Sequence, residues 1–174
     1  MSRTLLLLFA SLAIASTAEA RPRHVVKIEK AKRKLTLEVD GRVVRTFRVG
    51  LGFAPEKDKT IEGDGRTPEG RYYVAWKNPG SQFHRFFGLS YPMPRHARKA
   101  HADGRISKKV LRQIERAAAN KKKPPQYTGL GGLVGVHGGG GGSDWTLGCI
   151  AISDEEIEWL YAQVRVGDEI VVLP

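Results

Sequence analysis

Cys149 and His137 are the side chains of this 174-residue sequence whose types and spacing suit covalent chemistry. Cys149 is the single thiol and follows Gly148 in the run Thr146-Leu147-Gly148-Cys149-Ile150. His137 stands twelve residues upstream, where an apolar stretch from Val134 ends and the glycines Gly138 to Gly142 begin. An imidazole can withdraw a thiol proton, leave the thiolate as nucleophile and later protonate a departing amine, which is the chemistry of acyl transfer. Gly148 leaves room for a carbonyl to approach the sulfur, and the amides of Gly148 and Cys149 can face the oxyanion that develops. Taken alone, the residues also fit blander roles: a buried inert thiol and a satisfied histidine at a strand end.

Short strands must position this pair. Val25 to Ile28 opens one, and Leu35, Leu37 and Val39 alternate with polar residues up to Asp40-Gly41, a strong hairpin signal. The return run puts Val43, Phe47 and Val49 on one parity, predicting one buried face. Gly50 to Gly70 lacks periodicity and reads as a long loop, after which Arg71 to Trp76, Phe86 to Leu89 and Leu133 to Val136 resume strand character. Val110, Leu111, Ile114, Ala117 and Ala118 share one helical face between Ser107 and Asn120. That helix serves either as a lid over a groove or as a packing element. Ser153 and Glu156 form a capping box for a second helix, and Glu169 to Leu173 is a final strand.

Composition narrows the setting. Arg3, the apolar run Leu5 to Ala15 and Ala18-Glu19-Ala20 have the form of a signal peptide over residues 1–20, leaving residues 21–174 as one domain. The apolar run is too short to span a bilayer, since a spanning helix takes about 20 residues. An exported chain meets an oxidising compartment, where a lone thiol is retained either because it is buried or because it reacts. The net charge of +11 favours anionic partners. With export expected and no nucleic-acid-binding motif present, an envelope surface or wall polymer fits better than nucleic acid, although solubility alone also accounts for such a charge.

These residues resemble the bacterial L,D-transpeptidase catalytic domain, whose hallmark is a His-Gly pair followed by a Ser/Thr-x-Gly-Cys motif. His137-Gly138 and Thr146-Leu147-Gly148-Cys149 carry the likeness, joined by Gly63-Asp64-Gly65-Arg66-Thr67-Pro68-Glu69-Gly70, Gly88-Leu89-Ser90-Tyr91-Pro92 and Leu130-Gly131-Gly132. The resemblance implies a mainly β, sandwich-like fold, with the pattern above supplying two short helices. It also implies Cys149 as nucleophile, His137 as base, the Gly138 carbonyl as the group orienting the imidazole, peptidoglycan stem peptides as substrate, and carbapenem capture at Cys149. A role in cell wall biogenesis and cell shape, in the periplasm or cell envelope, follows from the same likeness. Many members have His at the position of Leu147 and Arg at that of Ala151. The form found here is closer to a subgroup containing hydrolases of wall-peptide links.

No cofactor is expected. His84, Arg85, Tyr91 and Thr146 are candidate substrate contacts. His96, His101 and Asp103 lack a metal-ligand spacing, so no metal site is assigned and the histidines read as surface residues. The leading reading is a thiol transpeptidase joining stem peptides. A hydrolase on the same thioester route, an inactive wall-binding module and a basic structural protein of the envelope are the alternatives.

Overall fold

The computed structural model describes residues 21–174, so the expected signal peptide lies outside the described residues. The elements in chain order are β1 (His24–Glu29), β2 (Lys34–Val39), β3 (Arg42–Arg48), β4 (Gly70–Ser81), β5 (His84–Leu89), α1 (Pro94–Ala102), α2 (Lys108–Ala119), β6 (Gly135–His137), β7 (Ile150–Ala151), α3 (Asp154–Gln163) and β8 (Glu169–Leu173). The eight strands form one sheet in the order β3-β2-β1-β8-β4-β5-β6-β7. After β3 the chain returns to the far edge: Gly50 exchanges two backbone hydrogen bonds with Ala151, at 2.9 and 2.8 Å. The two edges of the sheet are thereby tied and the sheet curls on itself, the mainly β architecture expected.

Asp40 and Gly41 close the β2–β3 hairpin with φ of 50° and 78°, both positive as the tight mirror-image turn requires. The buried face is narrower than the alternation predicts. Phe47 and Val49 are buried, whereas Val43 is exposed, because a register shift beside Leu37 and Glu38 breaks the parity of β3 before Val43 is reached. Inward residues of all eight strands, Val26, Ile28, Leu35, Leu37, Phe47, Val74, Phe87, Leu89, Val136, Ile150, Ile170 and Val172, form one core with Ile157 and Leu160 of α3. Each fully buried aliphatic side chain of this kind is worth about 1.5–3 kcal/mol relative to exposure. Ser153 caps α3 reciprocally with Glu156, as the sequence predicts.

The helix over Ser107 to Asn120 forms as α2, with the Ser107 hydroxyl capping it. A further helix, α1, was not legible in the pattern, because its buried residues are His96, Ala97 and Ala100 and it has no large aliphatic stripe. The two helices pack together through Ala97, Ala100, Ile106, Ile114 and Leu130, a small core separate from that of the sheet. His96 departs from the surface reading. It is buried, its Nδ1 accepts from the Met93 amide at 3.0 Å, and its Nε2 lies 3.6 Å from the Asp58 carboxylate.

Buried charge fixes the long loop before β4. The Lys30 ammonium, at the end of β1, donates to the carbonyls of Lys57 and Thr67 at 2.7 and 3.0 Å and to Glu69 at 2.7 Å. All three of its protons are thus used, which makes a buried cation tolerable. The carboxylate of Asp58 adds a bond from the Glu69 amide at 2.8 Å and an ion pair with Arg95 at 2.6 Å. The loop therefore arrives beneath the Gly148-Cys149 turn in a fixed shape.

Candidate active site

β6 and β7 run parallel with His137 opposite Ala151 and Val136 opposite Ile150. Cys149, immediately before β7, is in register with Gly135, two residues short of His137, and the two-residue alternation of strands puts both side chains on one face. Both line a cavity of about 620 Å³ whose walls include Lys59, Phe83, Leu133, Trp145, Thr146 and Leu147.

The imidazole of His137 is buried and held on every side. Its ring stacks on Phe83 at 4.6 Å between centroids and meets Trp145 edge-on at 5.7 Å. Its Nδ1 lies 2.6 Å from the Gly138 carbonyl. A carbonyl only accepts, so Nδ1 carries the proton and Nε2 is left as the basic nitrogen. Burial pushes the pKa of His137 below its ordinary value, partly offset by the Gly138 bond.

The thiol of Cys149 is shaped by the opposite logic. Burial pushes it up to about 11, while the Gly135 amide and the Lys59 ammonium pull part of that back. As a thiol it donates to the Leu133 carbonyl at 3.4 Å. At neutral pH both groups are uncharged, so a base must remove the proton as the sulfur attacks.

Two glycines are required by geometry. Gly148 has φ of 128°, and a Cβ there would sit 2.6 Å from the Arg66 carbonyl oxygen. At Gly138 a Cβ would fall 2.3 Å from the Asp154 carboxylate, which accepts from the Gly139 amide at 2.8 Å and pins the glycine loop to the start of α3. Of the two amides expected to face an oxyanion, that of Gly148 is engaged, donating to Thr146 Oγ1 at 3.1 Å, which leaves that of Cys149. Thr146 Oγ1 itself donates to the Cys149 carbonyl at 2.8 Å. Thr146 thus lines the cavity, but its hydroxyl is spent on shaping the turn that presents the thiol.

The remaining sequence candidates lie off the cavity. Tyr91 is fully buried, its hydroxyl donating to the Leu130 carbonyl at 2.9 Å. His84 and Arg85 are turned to α3, where Glu158 binds them at 2.9 and 2.7 Å. Their neighbours Gln82 and Phe83 take the place on the wall. Helix α2 contributes no lining residue, so packing against α1 and not a lid describes it. Among the described residues, no group of three or more His, Cys, Asp or Glu is arranged to hold a metal.

Sequence reasoning missed Lys59. Its side chain is 3% exposed and bonds Asp64 at 2.7 Å. Its ammonium is 3.6 Å from where a Gly148 Cβ would be. Burial would raise the Asp64 carboxyl, but Lys59 and the amides of Thr60, Ile61 and Arg66 hold it below the usual carboxylate range. The pair is therefore a fixed dipole with its positive end toward Cys149. Lys59→Met is expected to move the thiol titration upward, leaving roughly tenfold less thiolate at a given pH. Asp64→Asn, which frees the ammonium from its carboxylate, moves the titration downward. Iodoacetamide alkylation rates against pH measure both, and shifts in the same direction would mean that the pair acts only on the fold.

Comparison with known proteins agrees with this geometry. A model of the L,D-transpeptidase catalytic domain, YkuD, matches residues 23–172. No curated protein matches the chain. Among solved structures, the helical cell shape determining protein Pgp2 from Campylobacter jejuni is 22% identical with a TM-score of 0.57, over 87% of this chain and 47% of its own. An L,D-transpeptidase from Mycobacterium smegmatis is 18% identical with a TM-score of 0.53, over 88% and 59%. L,D-transpeptidase LdtMt1 in complex with imipenem is 16% identical with a TM-score of 0.51, over 87% and 59%. The chain thus spans between 47% and 59% of the lengths of these proteins, and at such identities they show a shared fold. With the family model covering nearly every described residue, from the first strand to the last, the chain belongs to the YkuD family of L,D-transpeptidase catalytic domains.

Proposed function

We propose that the chain is an exported cysteine acyltransferase acting on peptidoglycan stem peptides, with Cys149 as nucleophile, His137 as base and residues 1–20 as the export signal. The observation that carries the reading is the 2.6 Å bond from His137 Nδ1 to the Gly138 carbonyl, which reserves Nε2 for proton transfer in the cavity that Cys149 shares. In the first step Nε2 takes the thiol proton while the sulfur bonds to the substrate carbonyl carbon, the Cys149 amide facing the oxygen that becomes negative. The intermediate collapses to a thioester as the C–N bond breaks, and the imidazolium returns its proton to the departing amine. An acceptor amine then attacks the thioester, losing its proton to Nε2 and restoring the thiol. No helix among the described residues is long and apolar enough to cross a membrane.

Water competes with the amine in the second half. A specific observation keeps hydrolysis as the second reading. Leu147 is 75% exposed at the cavity and Ala151 is fully buried, so neither offers a polar group to orient an acceptor. Transfer remains the favoured outcome. Supplied with a donor tetrapeptide, the protein is expected to give an acceptor-dependent adduct that dominates at millimolar diamino-acid acceptor. A shortened peptide whose yield ignores the acceptor would replace transferase by hydrolase and keep the same pair. Absence of any product, with no capture of a carbapenem such as the imipenem bound to LdtMt1, would leave an inactive wall-binding module.

A further inference from the structure

The positive charge of the chain is concentrated in one segment. Between Pro94 and Lys123 the sequence holds eleven Lys and Arg and only two acidic residues, Asp103 and Glu115, a local excess of nine out of +11 for the whole chain, with Arg95 further paired to Asp58 of the long loop. This stretch comprises α1, α2 and the start of the connection that leaves α2. Its apolar side is already consumed in the core of Ala97, Ala100, Ile106, Ile114 and Leu130, so no apolar stripe is left to enter lipid. Along its far end runs an open groove of about 580 Å³, lined by Arg116, Lys122 and Lys123 with Gln113, Asn120 and Tyr127, and no Asp or Glu lines it. Tyr127 is 89% exposed, and the Lys123 ammonium sits 4.1 Å from the centre of the Trp76 ring. Like charges in a concave wall raise the local potential and concentrate anions.

The groove and the Cys149 cavity are connected by short links. Gln126 lines the groove and its Oε1 accepts from the Leu133 amide at 2.8 Å, while the Leu133 carbonyl accepts from the Cys149 thiol at 3.4 Å. An exposed phenol and three amides beside three cations suit a polar chain bearing carboxylates better than a bilayer.

We propose that this groove docks the carboxylate-bearing peptidoglycan polymer at a point remote from the bond being exchanged, while one of its stem peptides enters the Cys149 cavity. The inference rests on the peptidoglycan reading above, and its test separates the two. In a Cys149→Ala background, which prevents turnover, cosedimentation with purified sacculi measures binding against salt. Arg116→Glu with Lys122→Glu is expected to weaken binding at least tenfold at low salt and to flatten its salt dependence. Arg42→Glu with Arg48→Glu makes the same change of charge on the exposed side of β3 and should stay within twofold. With Cys149 intact, the groove variant should turn over a soluble tetrapeptide within twofold of the parent. If Arg116→Glu with Lys122→Glu perturbs folding, Arg116→Gln with Lys122→Gln is expected to weaken binding about threefold. Equal loss in both charge pairs would reduce the effect to net charge and overturn the proposal, as would no loss in either. Loss confined to phosphatidylglycerol vesicles, with sacculus binding intact, would assign the groove to a phosphate surface and overturn it too. Groove-dependent sacculus binding without turnover would sink acyl transfer alone, and turnover with groove-independent binding would sink the docking site alone.

Discussion

Cys149→Ala is expected to lower turnover of a stem peptide to background, a loss of three orders of magnitude or more, with the unfolding midpoint almost unmoved. The substitution removes one sulfur, whose polar contacts are the Leu133 carbonyl at 3.4 Å and the Gly135 amide. The turn around it is set elsewhere. Thr146 binds the Cys149 carbonyl and the Gly148 amide, while Asp144 ties the loop to Arg33 at 2.7 Å and to the Leu51 amide at 2.9 Å. None of these bonds involves the sulfur, so stability should change by less than about 1 kcal/mol. Retained turnover would remove Cys149 from the mechanism. Lost turnover accompanied by a large fall in melting temperature would assign the residue to the fold instead.

His137→Gln should cost about 10³- to 10⁴-fold at neutral pH, and the pH profile identifies the cause. With the thiol pushed up to about 11 by burial, thiolate at pH 7 is on the order of one molecule in 10⁴ without a base. Because burial lowers the pKa of His137, the imidazole stays in its basic form into mildly acidic solution. The parent should therefore gain activity through a midpoint below 6.5, hold a plateau, and change again only as the thiol ionises. In His137→Gln the acid limb should vanish and the rate should climb steadily with pH, following the thiolate. Glutamine is preferred to alanine because it still fills part of the space among Phe83, Phe86 and Trp145. A variant with the same bell-shaped profile as the parent would show that another group supplies the base.

The chemistry of the site was legible because the informative residues sit close together in sequence. His137 ends one strand, Cys149 precedes the next, and twelve residues separate them, so a local reading finds both. The β2–β3 hairpin, α2 and the capping box of α3 were legible for the same reason, each being specified within a few residues. What depends on distant contacts was not. Lys59 comes beneath Cys149 only through the loop that Lys30 and Asp58 hold in place, and nothing near position 59 announces it. The sequence offers His84 and Arg85 as substrate contacts, but the backbone at His84 has φ of 69° and β4 pairs irregularly with β5 between Asn78 and Ser81. Phe83 enters the cavity instead, and the two basic side chains turn to Glu158. Tyr91 stands beside a family motif, yet its ring belongs to the core. In α1 a helix is built from His96, Ala97 and Ala100, too small an apolar set to leave a periodic trace.

The central claim is that a carbonyl of the wall peptide becomes covalently attached to Cys149. Its most direct test is the intact mass of the protein after brief mixing with a donor tetrapeptide and quenching in acid, which preserves thioesters. The account predicts an added mass equal to the donor less its departing amine, released by hydroxylamine, located at Cys149 by proteolysis and absent from Cys149→Ala. A protein that turns the donor over with no such adduct, or with the adduct on another residue, would contradict it.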